Sequence, residues 1–490
     1  MSGQQASFPA AGQQAPFPPP GPQAPVPAPA PQAEGKGLKR AVIGVVVLAV
    51  LAVVGFGGAA LFNAFGGSSL PSAAGGDSKG EQLLGDDDVT ALLDGRTRAL
   101  KAGDEETFLK PFSGQARTEQ QKIYRNLRKI PFASAEYQVV EQSGSGSNEY
   151  GDGATIGLDV AFVHKIENVD VAPVAEWYRW TIKRASKEAA PQITKVGGSP
   201  SAYGEKGFVY YPAAWDVYDD MFVQRQDHSI TISASKNAAD ARRFAPIVEQ
   251  SARDDVQLWQ RHAPSEAPSP QGFVFVLEPD RKTYATLYTS NGDDPGWDAG
   301  ASVPMPTFTA TVGSRDAKEL QFGGARIKMD TSSGRFTSAQ WQRGVRDITH
   351  HEVAHALMQP LDQGKYGMFN IDDGPRTWVV EGFAEWVSSR FDPALSAAST
   401  RGLRGMKFDG ELPENDFEGQ LGRTVSQNYT LSSLAVQFVA EKRGEEGVFD
   451  LVSSHYQDPK HLDQQLQKVL GMDESAFASA WADYVRRSVQ

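Results

Sequence analysis

Hydrophobic periodicity divides the chain into blocks. Val89, Leu92, Leu93 and Leu100 recur near helical spacing, which predicts an amphipathic helix over Val89–Ala102. Short helices follow through Leu127. After Phe132 the texture turns to strands, at Tyr137–Gln142, Thr155–Val163, Trp177–Ile182 and Ile193–Val196. Helices first and strands second predict a small α+β domain over 86–200. A second block, 204–490, opens with the aromatic run Val209–Phe222, read as core. A strand (Ser229–Ser233), a long helix (Asn237–His262) and a buried strand (Phe273–Leu277) follow. Ala325–Met329 is a further short strand, either an edge open to an extended peptide or an ordinary member of a sheet. The fold class is α+β.

The amino-terminal stretch follows different rules. Residues 1–40 are rich in Pro, Gln, Ala and Gly, cannot bury enough apolar surface to order themselves, and read as a disordered tail. Such a tail is either a solvated spacer or a dock for a proline-recognising partner. Ala41–Ala60 carries no charged or amide side chain. As a helix its 20 residues span about 30 Å, the thickness of a bilayer core. We read 41–63 as a single membrane span rather than a cleaved leader. Lys36, Lys39 and Arg40 lie on its amino-terminal side. The positive-inside rule then puts the tail in the cytoplasm and everything beyond the span outside the cell membrane. Residues 64–85, rich in Gly, Ser and Ala, read as a flexible tether.

Composition narrows the chemistry. Lys plus Arg number 48 against 60 Asp plus Glu, a formal charge of −12, which argues against nucleic acid as a partner. The 490 residues include no cysteine, which excludes disulfides, thiolate metal sites and cysteine nucleophiles. Metal chemistry through histidine and carboxylate stays open.

That chemistry concentrates between residues 351 and 385. A capping box, Thr337 with Gln340, predicts the start of a helix with the apolar stripe Trp341, Val345 and Ile348, and Pro360 predicts its end. Along it lies His351-Glu352-Val353-Ala354-His355. Imidazoles four residues apart share a helix face and can meet one ion, with Glu352 beside it as a base. His350 points about 100° away and is not expected to be a ligand. Asp373-Gly374-Pro375 predicts a second helix, Arg376–Phe391. It carries Glu381 and Glu385 four apart. One carboxylate there would complete a two-histidine, one-carboxylate zinc site, and the other suits orientation of an imidazole N–H.

His351–His355 followed by WVVEGFAEW resembles the gluzincin metallopeptidases, in their HExxH motif and second glutamate-bearing helix. The resemblance implies a mixed sheet followed by a mainly helical part over 204–490. It implies one Zn2+ per chain on His351, His355 and Glu381, with Glu352 activating water. It also implies Glu385 orienting an imidazole, that of His351, and Tyr429 stabilising the oxyanion, with His455 as the competing candidate for that role. The expected substrate is a peptide or protein, and endo- or exopeptidase specificity stays open. Residues 86–200 resemble, at the level of pattern, the nuclear-transport-factor-2/SnoaL-like fold. The expectation is a membrane-anchored zinc metallopeptidase acting outside the cytoplasmic membrane. The alternative is a catalytically inactive, peptidase-like envelope binding or scaffold protein.

Overall fold

A computed structural model describes residues 83–140, 155–199, 210–288, 296, 298–308, 321–362, 374–414, 417 and 422–490. The predicted tail (1–40), span (41–63) and most of the tether (64–85) lie outside the described residues. Among those described, no helix is long and apolar enough to cross a membrane.

Three helices lead, α1 (Asp86–Ala102), α2 (Glu105–Leu109) and α3 (Gly114–Leu127). They pack on an antiparallel four-stranded meander of β1 (Phe132–Val139), β2 (Thr155–Ile166), β3 (Val174–Lys183) and β4 (Gln192–Gly198), in that spatial order. Helices before strands is the order that the periodicity predicts. Their shared interior includes an arginine: Arg96 is buried, bonds Gln120, and lies 3.7 Å from the ring centroid of Phe108.

A second sheet has five strands in the order β5 (Met221–Arg225), β6 (Ser229–Ala234), β7 (Phe273–Glu278), β9 (Phe322–Asp330), β8 (Gly300–Pro306). β6, β7 and β9 are parallel, and antiparallel β5 and β8 form the edges. β7 is fully buried, as expected of a central parallel strand covered on both faces. The crossover from β6 to β7 is the long helix α4 (Ala238–His262).

One open alternative is decided here and one expectation is corrected. Ala325–Met329 lies inside β9, between β7 and β8, so it is not the edge. The edge beside it is β8, whose Pro304 and Pro306 disguise it, because proline inside a run argues against a strand. The predicted capping box does not form. Thr337 ends a separate short turn, Gly334–Thr337, and its hydroxyl donates to Ser333 O. The helix begins afterwards, at Trp341.

Among the described residues six helices of eight or more residues carry and cover the rest: α5 (Trp341–Met358), α6 (Thr377–Phe391), α7 (Pro393–Gly402), α8 (Val425–Gln457, broken at Gly444), α9 (Leu462–Leu470) and α10 (Glu474–Ser488). α6 lies between α5 and α8. Gly382 permits the α6–α8 approach, since a Cβ there would stand 2.5 Å from Ser432 O.

The two sheets meet directly. One hydrophobic cluster runs from Val160, Phe162 and Trp177 through Trp215 to Val274, Val303 and Met305. At the seam Arg326 of β9, fully buried, makes a two-pronged ion pair with buried Asp170 (2.7 and 3.0 Å) and touches His164 (3.2 Å). Val171 N–H donates to Gly323 O (2.8 Å), and Thr307 forms an isolated antiparallel bridge with Val174.

Candidate metal centre

α5 and α6 bring three side chains to one point. His351 and His355, one turn apart on α5, face each other with their Nε2 atoms 3.2 Å apart. Glu381 reaches in from α6, its Oε2 3.3 Å from His351 Nε2 and 3.5 Å from His355 Nε2. One ligand atom from each residue lies within 4.8 Å of the others.

The donor set fits a divalent cation. Glu381 is 1% exposed, and neither of its oxygens has a hydrogen-bond partner. Its contacts with the two imidazoles are ion pairs. A buried carboxylate with unmet lone pairs is costly. A cation between the three would satisfy all of them, and His2Glu is a zinc set with room for a fourth ligand. Burial pushes the Glu381 carboxyl up, but the neighbouring imidazoles outweigh it and hold the pKa at about 2. Burial lowers His351, yet Glu381 and Glu385 overcome that and raise it well above the usual histidine range. The cluster is thus built around paired opposite charge.

The surrounding residues complete a site. Glu385 lies one turn along α6, its Oε2 3.5 Å from His351 Nδ1, the imidazole it was expected to orient. Glu352 is 5% exposed; burial raises its pKa, against the lowering by His351 and His355. Tyr429, near the start of α8, sits with its ring centroid 5.8 Å from that of His351. Burial, together with Glu381, Glu352 and Glu385, pushes its hydroxyl well above the usual phenol range, so the O–H stays a donor. All six residues line one cavity of about 590 Å³.

His350 and His455 do structural work. His350 Nδ1 contacts Asp255 of α4 (2.8 and 2.9 Å), and its ring stacks on Phe391 at 4.0 Å. It ties three helices and is turned away from the cluster. His455, the competing oxyanion candidate, is fully buried and engaged elsewhere. Its Nε2 accepts the Arg376 N–H (2.9 Å), and its Nδ1 meets Gln465 Oε1 (3.1 Å). It holds the first turn of α6. That turn starts at Thr377, one residue later than predicted.

Sequence reasoning missed three contributors. Gly300 lets β8 lie against α5: a Cβ there would stand 2.6 Å from Ile348 Cγ2 and 3.0 Å from Glu352 Oε1. Asp347, one turn before His351, accepts from Ser388 (2.5 Å) and pairs with Arg335 (2.8 Å). Helical spacing from His351 could have found it. Asp298 lines the cavity, held by Tyr284 O–H (2.6 Å) and Arg281. Nothing local marks it.

No protein-family model matches the chain, and no curated protein sequence does. Solved structures give loose likenesses. An M1 zinc metallopeptidase from Deinococcus radiodurans, a point mutant bound to a Tyr-Ser-Ala substrate, aligns over 69% of this chain and 90% of its own. The identity is 11% and the TM-score 0.31. The M1 zinc metallopeptidase from the same organism without that substitution aligns over 69% and 89%, at 10% identity and TM-score 0.29.

Proposed function

We propose that this protein is a zinc-dependent peptidase. The observation that supports it is the convergence of His351, His355 and an otherwise unpartnered, buried Glu381, beside Glu352, in a cavity of about 590 Å³. When bound on these three residues, zinc supplies Lewis acidity, which polarises a carbonyl and acidifies water. Glu352, buried beside the cluster, would accept a proton from water at a carboxylate oxygen. It then hands the proton to the departing amine. Tyr429 donates its O–H to the carbonyl oxygen as negative charge builds there. Glu385 holds the His351 ring in the orientation that turns Nε2 inward.

The same reading places the catalytic part outside the cell membrane, anchored by 41–63, with 86–200 as a nuclear-transport-factor-2-like companion and the proline-rich tail free for a partner. The experiment is metal content and cleavage of a mixed peptide pool by the purified protein. Zinc at one per chain, lost in Glu381→Ala, with chelator-sensitive cleavage lost in Glu352→Gln while zinc is kept, supports the peptidase. Zinc without cleavage leaves the binding protein, and no zinc overturns the peptidase and leaves only the scaffold.

A further inference from the structure

Between the first sheet and the second the chain forms the short helix Ala214–Val217, which leads into β5. One hydroxyl fastens that helix to β3. Tyr178 Oη lies 3.1 Å from Glu176 Oε2, two residues away on the same face of the strand. The same oxygen lies 3.1 and 3.3 Å from the two carboxyl oxygens of Asp216. Trp215 Nε1–H donates to it as well (3.4 Å), and Asp216 accepts the Ala213 N–H (2.9 Å).

A tyrosine hydroxyl has one hydrogen and cannot donate to two carboxyl groups. With both ionised, one carboxylate would face the lone pairs of Tyr178 in a buried place, and the two charges would repel. A single added proton on Glu176 Oε2 removes the conflict: Glu176 donates to Tyr178, and Tyr178 donates to Asp216. The proton belongs on Glu176, which is fully buried and whose Oε1 has no hydrogen-bond partner. Asp216 keeps part of its surface in solvent and has the Ala213 N–H to stabilise its charge. Burial and the facing Asp216 raise the Glu176 carboxyl well above the usual range, and burial raises Asp216 too.

The groups around the pair do not replace that proton. Arg326 of β9 is paired with Asp170 and Arg96 of α1 bonds Gln120, so each lowers the facing carboxyl only from a distance. His164 of β2 packs edge-on to Trp215 and is kept neutral by burial and by Arg326. The phenols of Tyr137, Tyr211 and Tyr288 are raised by burial and carry no charge.

We propose that Glu176, Tyr178 and Asp216 form a proton-dependent latch between the two sheets, in which one proton on Glu176 keeps the Ala214–Val217 helix docked on β3 and its release loosens the seam. On opening, the Glu176 O–H bond breaks, the proton passes to water, and two carboxylates move apart into solvent. The docked state binds this proton more tightly than the open state. Docking is therefore strongest below the usual carboxylate pKa of about 4 and weakens as pH rises through the raised value. This is opposite in sign to a histidine held neutral by burial, and it does not depend on the peptidase reading.

Hydrogen exchange of the full chain, corrected for the intrinsic pH dependence of amide exchange, reads the opening. The opening constant for Val174–Lys183 and Ala214–Val217 is expected to grow about tenfold per pH unit above about pH 5, then to level off once the raised pKa is passed. Glu176→Gln donates to Tyr178 without ionising, and is expected to flatten that dependence. Asp216→Asn removes the facing charge, and is expected to shift it to lower pH. Infrared spectra at about pH 6 are expected to show a protonated-carboxyl band that Glu176→Gln lacks. An opening constant independent of pH in the wild type, or an unchanged slope and band in Glu176→Gln, overturns the latch. Should Glu176→Gln not fold, an unshifted dependence in Asp216→Asn overturns it alone.

Discussion

His455 Nε2 accepts a hydrogen bond from the backbone N–H of Arg376, and by that bond caps the helix that carries Glu381. The contact joins the far end of α8 to the first turn of α6. It requires a neutral imidazole, because a protonated one has no lone pair to offer. Burial is the main reason the His455 pKa falls to about 4.

A pH dependence follows. The folded pKa lies below the unfolded value of about 6.5, so the unfolded state binds more protons between the two. The contribution of His455 is complete above about pH 6.5 and is lost as pH falls toward 4. It is worth at most about 3 kcal/mol. Denaturant titrations of the wild type are expected to lose stability over that window, and those of His455→Gln to show a smaller loss. Equal slopes for the two proteins would sink this assignment.

Glu385 and Tyr429 separate metal holding from chemistry. Glu385→Ala is expected to weaken zinc binding about 10–100-fold, as loss of a ligand's orienting partner does. Tyr429→Phe is expected to keep zinc and lose about 10²–10³ in kcat. Competition with a calibrated chelator and steady-state kinetics read the two effects separately. Reversed phenotypes would exchange the roles.

At Gly300 the strand approaches α5 more closely than a Cβ allows. Gly300→Ala is expected to cost about 1–3 kcal/mol through overpacking. Because the added methyl also meets the Glu352 carboxylate, activity is expected to fall further than stability explains. A variant as active per folded molecule as the wild type would argue that Glu352 is not the base.

The seam between the sheets depends on Arg326 and Asp170, both fully buried. Removing one partner leaves the other charge buried and unpaired. Arg326→Ala is therefore expected to lose about 3–5 kcal/mol, and Asp170→Ala a similar amount. Chemical denaturation measures this. A loss below about 1 kcal/mol would show that water reaches the remaining charge.

The helices around the site were legible because helical periodicity is local. The i,i+4 spacing of His351 and His355, and of Glu381 and Glu385, is written in neighbouring residues. Element order in the first block was legible for the same reason, to within a few residues at each end. β8 was not, since Pro304 and Pro306 argue locally against a strand and only an edge position tolerates them. The role of His455 was also hidden, for its partner lies 79 residues away.

The amino-acid sequence determined which side chains can share a helix face, and hence the candidate donors and base, because backbone geometry alone sets that spacing. Tertiary packing decided whether the two helices converge, which strand borders the cleft, and which histidines turn inward. Those outcomes depend on burial and on contacts between residues distant in the chain, such as Gly382 against Ser432 and Gly300 against Glu352. No local pattern encodes them.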